Sequence, residues 1–235
     1  MKKILTAALL GLSLNSFADD APLWLRFSAI SPDGQTIAFS YKGDIFSVPV
    51  NGGTAKQLTT NSAYDAYPVW SPDGQKIAFA STREGSMDVY LMDKNGGVPK
   101  RLTTNSGNET PMAFTDNSHV LFTSAGMPTA KSIFFASGTF PQTYEVGIDA
   151  SRPRLYSPMT MYDVSIRSNG DILYHDAKGY EDNFRKHHRS PVTRDIWLYS
   201  KGNYTKLTDF NGEDRTPVWA GNDNAYYYLS EEDGT

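Results

Sequence analysis

The densest run of chemistry-bearing side chains is Arg185-Lys186-His187-His188-Arg189. Guanidinium and ammonium groups make charge-assisted hydrogen bonds to carboxylates, so such a run could hold the C-terminal carboxylate of a peptide. Arg185, Lys186, His187, His188 and Arg189, with Arg194 shortly after, are therefore candidates for contact with a peptide or a neighbouring domain. The same charges could instead pair with Glu181, Asp182 and Asp195. Adjacent histidines point in different directions, and neither H-x-H nor H-x-x-x-H spacing with an acidic partner accompanies them, which argues against a metal site. His119 and His175 lie at the start and end of strand-like runs and read as structural, with Asp163, Asp176 and Asp195 as possible hydrogen-bond partners. Ser165, His175 and Asp195 can be assembled into a triad on paper, but no nucleophile elbow or oxyanion loop accompanies them. Asp33, Asp73 and Asp116 lack the alternating oxygen ligands of a calcium loop. Gly52-Gly53 and Gly96-Gly97 have no lysine-serine sequel to cradle a phosphate. No catalytic residue, metal or cofactor is expected in this chain.

The elements that must position these residues come after a separable leader. Lys2 and Lys3, an apolar run from Ile4 to Leu14, and Ser16-Phe17-Ala18 have the order of a signal peptide, so residues 1–18 are expected to direct export and be removed. The apolar run is about half of what a bilayer core needs, and no later stretch is apolar enough to span one. The leader takes two lysines and no acid from 22 basic and 26 acidic side chains, leaving 20 against 26 and a net charge of −6. An acidic chain is a poor partner for nucleic acid phosphates. There is no cysteine, which excludes thiolate chemistry, cysteine-ligated metal and disulfides. The 14 Tyr, 12 Phe and 4 Trp favour strands and the 19 Gly and 13 Pro punctuate them, so the chain reads as all-β.

An internal repeat organises the rest. Ser31-Pro32-Asp33-Gly34-Gln35-Thr36-Ile37-Ala38-Phe39-Ser40 returns as Ser71-Pro72-Asp73-Gly74-Gln75-Lys76-Ile77-Ala78-Phe79-Ala80. Asp44-Ile45-Phe46 before Gly52-Gly53 matches Asp88-Val89-Tyr90 before Gly96-Gly97, and each unit closes on Leu-Thr-Thr-Asn, at 58–61 and 102–105. In Ser-Pro-Asp-Gly the proline sets φ at the second position of a type I turn, aspartate bonds nearby backbone, and glycine takes the fourth position. Ile77 and Phe79 are predicted on one face of a strand and Ala78 and Ala80 on the other. Trp70 and Trp219 occupy equivalent first-strand positions and read as packing residues.

Four short strands in about 40 residues match one propeller blade. Units are expected at about 26–61, 66–105, 110–157 and 162–209, with a partial unit at 215–235. The third aligns Pro111 with Pro68 and carries an insert, Ala125 to Gly138, whose Met127, Ile133, Phe134 and Phe135 are expected to meet another surface. The fold class is thus a β-propeller of four-stranded antiparallel blades. About four and a half blades are present, expected to be part of a six- or seven-bladed ring completed by chain beyond residue 235. A closed four-bladed ring with an extra hairpin is the alternative.

The order Ser-Pro-Asp-Gly, Ile-Ala-Phe, Asp-Val-Tyr and Leu-Thr resembles the WD40-like repeats of the TolB and tricorn type. Tyr174-His175-Asp176-Ala177-Lys178-Gly179-Tyr180-Glu181-Asp182, Val192-Thr193-Arg194-Asp195-Ile196-Trp197-Leu198-Tyr199 and Gly212-Glu213-Asp214-Arg215 resemble the first propeller of tricorn protease homologues, as does Phe140-Pro141-Gln142. That resemblance implies a second propeller, a PDZ-like domain and an S41-type serine peptidase core as partners on the same polypeptide. It also implies oligopeptide substrates, a gating or docking role for this segment, and possible homo-oligomers. The leader adds a periplasmic or secreted location. A non-enzymatic TolB-like scaffold and the propeller of a prolyl-oligopeptidase-like enzyme are the alternatives.

Overall fold

The computed structural model describes residues 24–125, 141–179, 191–221 and 224–233. These residues form eighteen strands and no helix. The first sheet contains β1 (Arg26–Ile30), β2 (Thr36–Tyr41), β3 (Asp44–Pro49) and β4 (Lys56–Gln57). The second contains β5 (Asp65–Trp70), β6 (Lys76–Glu84), β7 (Ser86–Asp93) and β8 (Lys100–Arg101). The third contains β9 (Glu109–Asp116), β10 (His119–Ser124), β11 (Gln142–Gly147) and β12 (Arg154–Ser157). The fourth contains β13 (Tyr162–Ile166), β14 (Ile172–His175), β15 (Ile196–Ser200) and β16 (Asn203–Lys206), and the fifth pairs β17 (Asp214–Trp219) with β18 (Tyr226–Ser230). Within each sheet neighbouring strands are consecutive in sequence and antiparallel. The first strands pack in series, β1 on β5, β5 on β9, β9 on β13 and β13 on β17, so the sheets radiate from a common inner wall. This is a partial β-propeller, four complete blades and a two-stranded fifth.

The repeated residues explain why each sheet forms. In both Ser-Pro-Asp-Gly turns the glycine N–H donates to the serine carbonyl at 2.8 Å, and Gly34 and Gly74 take φ of 70° and 65°, where a Cβ would be strained. Asp33 accepts the Ser31 hydroxyl at 2.5 Å and the Gln35 N–H at 3.0 Å, and Asp73 repeats this with Ser71 and Gln75. These bonds, the serine hydroxyl first, hold both carboxyls below the usual carboxylate range. The turn thus accounts for the two aspartates. The Leu-Thr phrase closes the outer edge of the sheet. Leu58 N–H donates to the Ile45 carbonyl, while the Thr59 hydroxyl oxygen accepts the Ile45 N–H at 2.9 Å. Leu102 and Thr103 do the same to Val89, and Leu207 and Thr208 to Ile196. Each leucine or threonine thereby completes a third strand that has only a two- to four-residue partner.

Alternation along β6 distributes its side chains to two neighbours. Ile77 and Phe79 join Ile45 and Leu58 of the first blade in one buried cluster. Ala78 joins Phe114, Val120, Phe122 and Tyr144 of the third in another. Large residues on one face and small ones on the other let adjacent sheets interdigitate, and each fully buried large side chain contributes about 1.5–3 kcal/mol. The pairs Phe39–Phe46, Phe79–Tyr90 and Phe122–Tyr144 recur across the second and third strands, with ring centroids 5.8–6.0 Å apart. Trp70 ties blades together by donating its Nε1–H to the Ala29 carbonyl at 3.1 Å. The Trp219 N–H donates to Ser165 Oγ at 3.0 Å, and the Arg167 guanidinium lies 4.6 Å from the Trp219 ring.

The third unit departs from its expected alignment. Phe114 pairs with Val120 as Trp70 pairs with Ile77, which places Pro111 opposite Phe122 in the position of Tyr67, not of Pro68. The turn without Pro and Gly is one residue shorter, and that shift moves the whole first strand by one place.

Candidate functional site: the inner wall

The first strand of every blade is irregular at the same place. Two residues face one at Phe27-Ser28, Tyr67-Pro68, Asp163-Val164 and Thr216-Pro217, each opposite a single residue of the second strand. Phe27, Tyr67, Asp163 and Thr216 have φ of 51°, 56°, 48° and 54°. A left-handed non-glycine residue costs about 1–2 kcal/mol, and bulges of this kind re-aim side chains. The third blade holds Pro111 here, whose ring fixes φ negative, so its bulge forms at Met112 without a left-handed residue.

The first strands of the first four blades line an open cavity of about 710 Å³. Phe27, Tyr67, Met112, Tyr162, Asp163 and Val164 are among its lining residues. The Phe27 and Tyr67 rings meet at 3.9 Å with a 35° tilt. Asp163 is half-exposed, and its Oδ2 accepts the Thr216 hydroxyl at 2.8 Å. His175 lies behind it, with Nδ1 3.6 Å from Asp163 Oδ2 and accepting the Thr216 N–H at 3.3 Å. Burial pushes the His175 imidazole down to about 4, with the positive charges of Arg194 and Arg215 acting the same way and Asp163 opposing them. His175 is therefore neutral at pH 7, and its ring stacks on Tyr162 at 5.7 Å.

The residues singled out from sequence fall in several places. Arg185, Lys186, His187, His188 and Arg189 lie outside the described residues, as do the leader and residues 126–140, which hold all of the insert but Ala125. Their flanks are described: Ala125 and Pro141 line the cavity, and both segments join a second strand to a third. That end of the blades also carries the buried starts of the first strands, Asp65, Glu109 and Asp214. Arg194 bonds Glu213 through its guanidinium and accepts the Asp214 N–H on its carbonyl at 3.1 Å, joining the fourth blade to the fifth. Asp195, one expected counter-charge of the basic run, is held by Lys178 and by Lys206 at 2.9 Å. His119 pairs with Asp116 at 3.0 Å, rather than with Asp163, Asp176 or Asp195, because the shortened turn brings Asp116 beside it. The paper triad is distributed among other partners, Ser165 on Trp219, His175 on Thr216 and Asp195 on its lysines. Among the described residues no three His, Asp or Glu side chains converge as metal ligands.

The sequence profile of the tricorn protease N-terminal beta propeller domain matches residues 22–235. The chain belongs to this family. Tricorn protease homolog 1 of Streptomyces coelicolor is 28% identical over 219 residues, covering 92% of this chain and 19% of that protein. Dipeptidyl-peptidase 5 of Porphyromonas gingivalis is 43% identical over 106 residues, 40% of this chain and 16% of its own length. The chain thus spans less than a fifth of these two curated relatives. In the crystal structure of the tricorn protease, 20% of that chain superposes on 89% of this one with a TM-score of 0.69 at 21% identity. Putative TolB from Agrobacterium tumefaciens gives a TM-score of 0.62 at 24% identity, covering 86% of this chain and 74% of that one. In this tricorn-type N-terminal propeller, the bulged first strands of the first four blades face one cavity. The bulge positions Phe27, Tyr67, Asp163 and Thr216 share no residue type, so only strand register brings them to notice.

Proposed function

We propose that this chain is the N-terminal propeller of an exported tricorn-like serine peptidase and that it gates or docks oligopeptides without cleaving them. The observation that carries this reading is the inner cavity, walled by aromatic and apolar side chains on strands whose kinks aim them inward. Family membership supplies the peptide context. Residues 1–18 act as a cleaved export signal to the periplasm or exterior, checked by a mature protein that begins at Asp19. Residues 19–235 act as one propeller segment with blade limits near those set out from sequence. Val218, Tyr227 and Leu229 on the fifth blade and Leu25 and Ile30 on the first are all at least half exposed. We assign those apolar faces to further blades and domains of the same polypeptide, among them a second propeller, a PDZ-like domain and the peptidase core. The basic residues Arg185, Lys186, His187, His188 and Arg189 are proposed contacts for peptide carboxylates or for a following domain, whereas the Arg194 guanidinium is taken by Glu213.

Ser28 lines the cavity, is exposed, and belongs to none of the buried clusters, so Ser28→Trp should narrow the passage at little cost to packing. In the full-length protein, turnover of ten-residue peptides is expected to fall about tenfold, equal to about 1.4 kcal/mol. Hydrolysis of a dipeptide-sized chromogenic substrate stays unchanged. Equal turnover of both by the variant and the parent would remove the gate from this reading. The same assay on Arg185→Ala with Lys186→Ala is expected to slow peptide turnover, and unaltered turnover with unaltered domain association rules those contacts out.

A second reading, a TolB-like protein-binding scaffold, is favoured by the 74% of the Agrobacterium TolB chain that superposes here. The polypeptide beyond residue 235 distinguishes the two: a peptidase core supports the first, and termination soon after ring closure supports the second. An α/β-hydrolase elbow there would point to the prolyl-oligopeptidase-like arrangement.

A further inference from the structure

Among the described side chains lining the inner cavity one is charged, Asp163. The rest are uncharged, and several are aromatic or aliphatic: Phe27, Tyr67, Met112, Tyr162 and Val164. Asp163 reaches the wall by way of its left-handed backbone, and Thr216 fixes its carboxylate by a 2.8 Å hydrogen bond. Among the described residues the one ion-pair partner of Asp163 is His175, at 3.6 Å. Arg194 is committed to Glu213, and His175 is neutral at pH 7. Arg215 is exposed on the neighbouring strand.

A carboxylate that shares a cavity wall with aromatic rings is suited to a cation. The carboxylate supplies charge and hydrogen bonds, and the rings add attraction to their faces. We propose that this wall recognises the free amino terminus of a peptide, the ammonium at Asp163 and the first side chain, apolar or aromatic, against Tyr67, Phe27 and Met112. Every linear oligopeptide carries one such ammonium whatever its sequence, so a wall with one carboxylate can accept peptides generally and still orient them. The inference rests on the peptide-gating reading and adds a direction of entry to it.

The test is binding of fluorescent peptides to the full-length chain, with anisotropy extrapolated to zero time so that cleavage does not enter. The probes are a hexapeptide beginning with phenylalanine, its N-acetylated form, and an N-acetylated form with an internal lysine. The free peptide is expected to bind about tenfold more tightly than the acetylated one at pH 7. That preference disappears above about pH 8, where an α-amino group loses its proton. Asp163→Asn, which can still accept the Thr216 hydroxyl, abolishes the preference. Thr216→Val removes that hydrogen bond but keeps the charge, and retains most of the preference. Equal binding of the free and acetylated peptides by the parent protein, or an undiminished preference in Asp163→Asn, overturns the inference. Either leaves the gating reading intact, provided both peptides bind. Recovery of affinity by the internal lysine overturns the assignment to the amino terminus. Failure of all three peptides to bind sinks the gating reading along with it.

Discussion

Replacing Arg83 by methionine is expected to destabilise the second blade by about 3–5 kcal/mol, the range for stripping a buried ion of its partner. Arg83 Nη2 stands 2.5 Å from Asp65 Oδ2, the Asp65 side chain is fully buried, and the arginine is 13% exposed. The guanidinium carbon also lies 5.4 Å from the centres of both the Phe79 and Tyr90 rings. Methionine has a similar stem, so packing is largely kept and the stranded carboxylate dominates the loss. For a domain of this size the thermal transition should fall by about 10 °C. Asp65→Asn added to Arg83→Met should recover at least half of the deficit, because it removes the charge that lost its partner. A loss under about 1 kcal/mol in the single variant would mean that water reaches Asp65. No recovery in the double variant would place the cost in packing over Phe79 and Tyr90.

Acidification should weaken the joint between the fourth and fifth blades through His175. In the folded chain its imidazole is held near 4 by burial, whereas an unfolded histidine titrates near 6.5. The unfolded state therefore takes up a proton first. The contribution of neutral His175 is whole above about pH 6.5, is lost as pH falls from 6.5 toward 4, and changes no further below that. Over the window it amounts to roughly 3 kcal/mol. Glu109 opposes it. Burial raises its carboxyl to about 7, aided by the charge of Asp88, so its contribution is present below about 4.5 and lost as pH rises through 7. His175→Asn separates the two, since asparagine can accept the Thr216 N–H and does not titrate. Chemical denaturation of both proteins at intervals between pH 4 and 8 gives the difference. The parent should lose about 3 kcal/mol relative to the variant on going from pH 7 to 4. A difference that stays flat would show that His175 is hydrated and that the joint does not sense protons.

The blade architecture was legible because its chemistry is local. A Pro-Asp-Gly turn, an alternating strand and a closing Leu-Thr lie within one unit, and each residue acts on backbone a few positions or one hairpin away. Ile37 and Ile77 occupy equivalent second strands of adjacent radial sheets for that reason. What escaped the sequence depends on register between strands. The bulge residues Phe27, Tyr67, Asp163 and Thr216 look unrelated, and two of them precede proline while two do not. The third unit lost a turn residue, and similarity of letters then pointed one position away from the true pairing. Asp163 is among the partners the sequence offers His175, and it stands 3.6 Å away. The Asp116 partner of His119, the Thr216 partner of His175 and the Glu213 partner of Arg194 lie on turns or strands whose approach no periodicity encodes. In the sequence Asp163 reads only as a partner for histidine, because nothing in the letters shows that it faces a cavity.

The repeated kink in the innermost strands bears on how long any visitor stays. A straight exposed strand edge offers a ladder of N–H and C=O groups onto which an extended chain can zip, and such complexes are slow to part. A bulge twists that edge out of line and interrupts the ladder. Left-handed residues at Phe27, Tyr67, Asp163 and Thr216 interrupt it at one height on four of the five strands. Anything passing there can be held by its side chains and end groups but not stitched into the sheet. Contacts of that kind break one at a time, which on the proposed gating reading favours transit over capture.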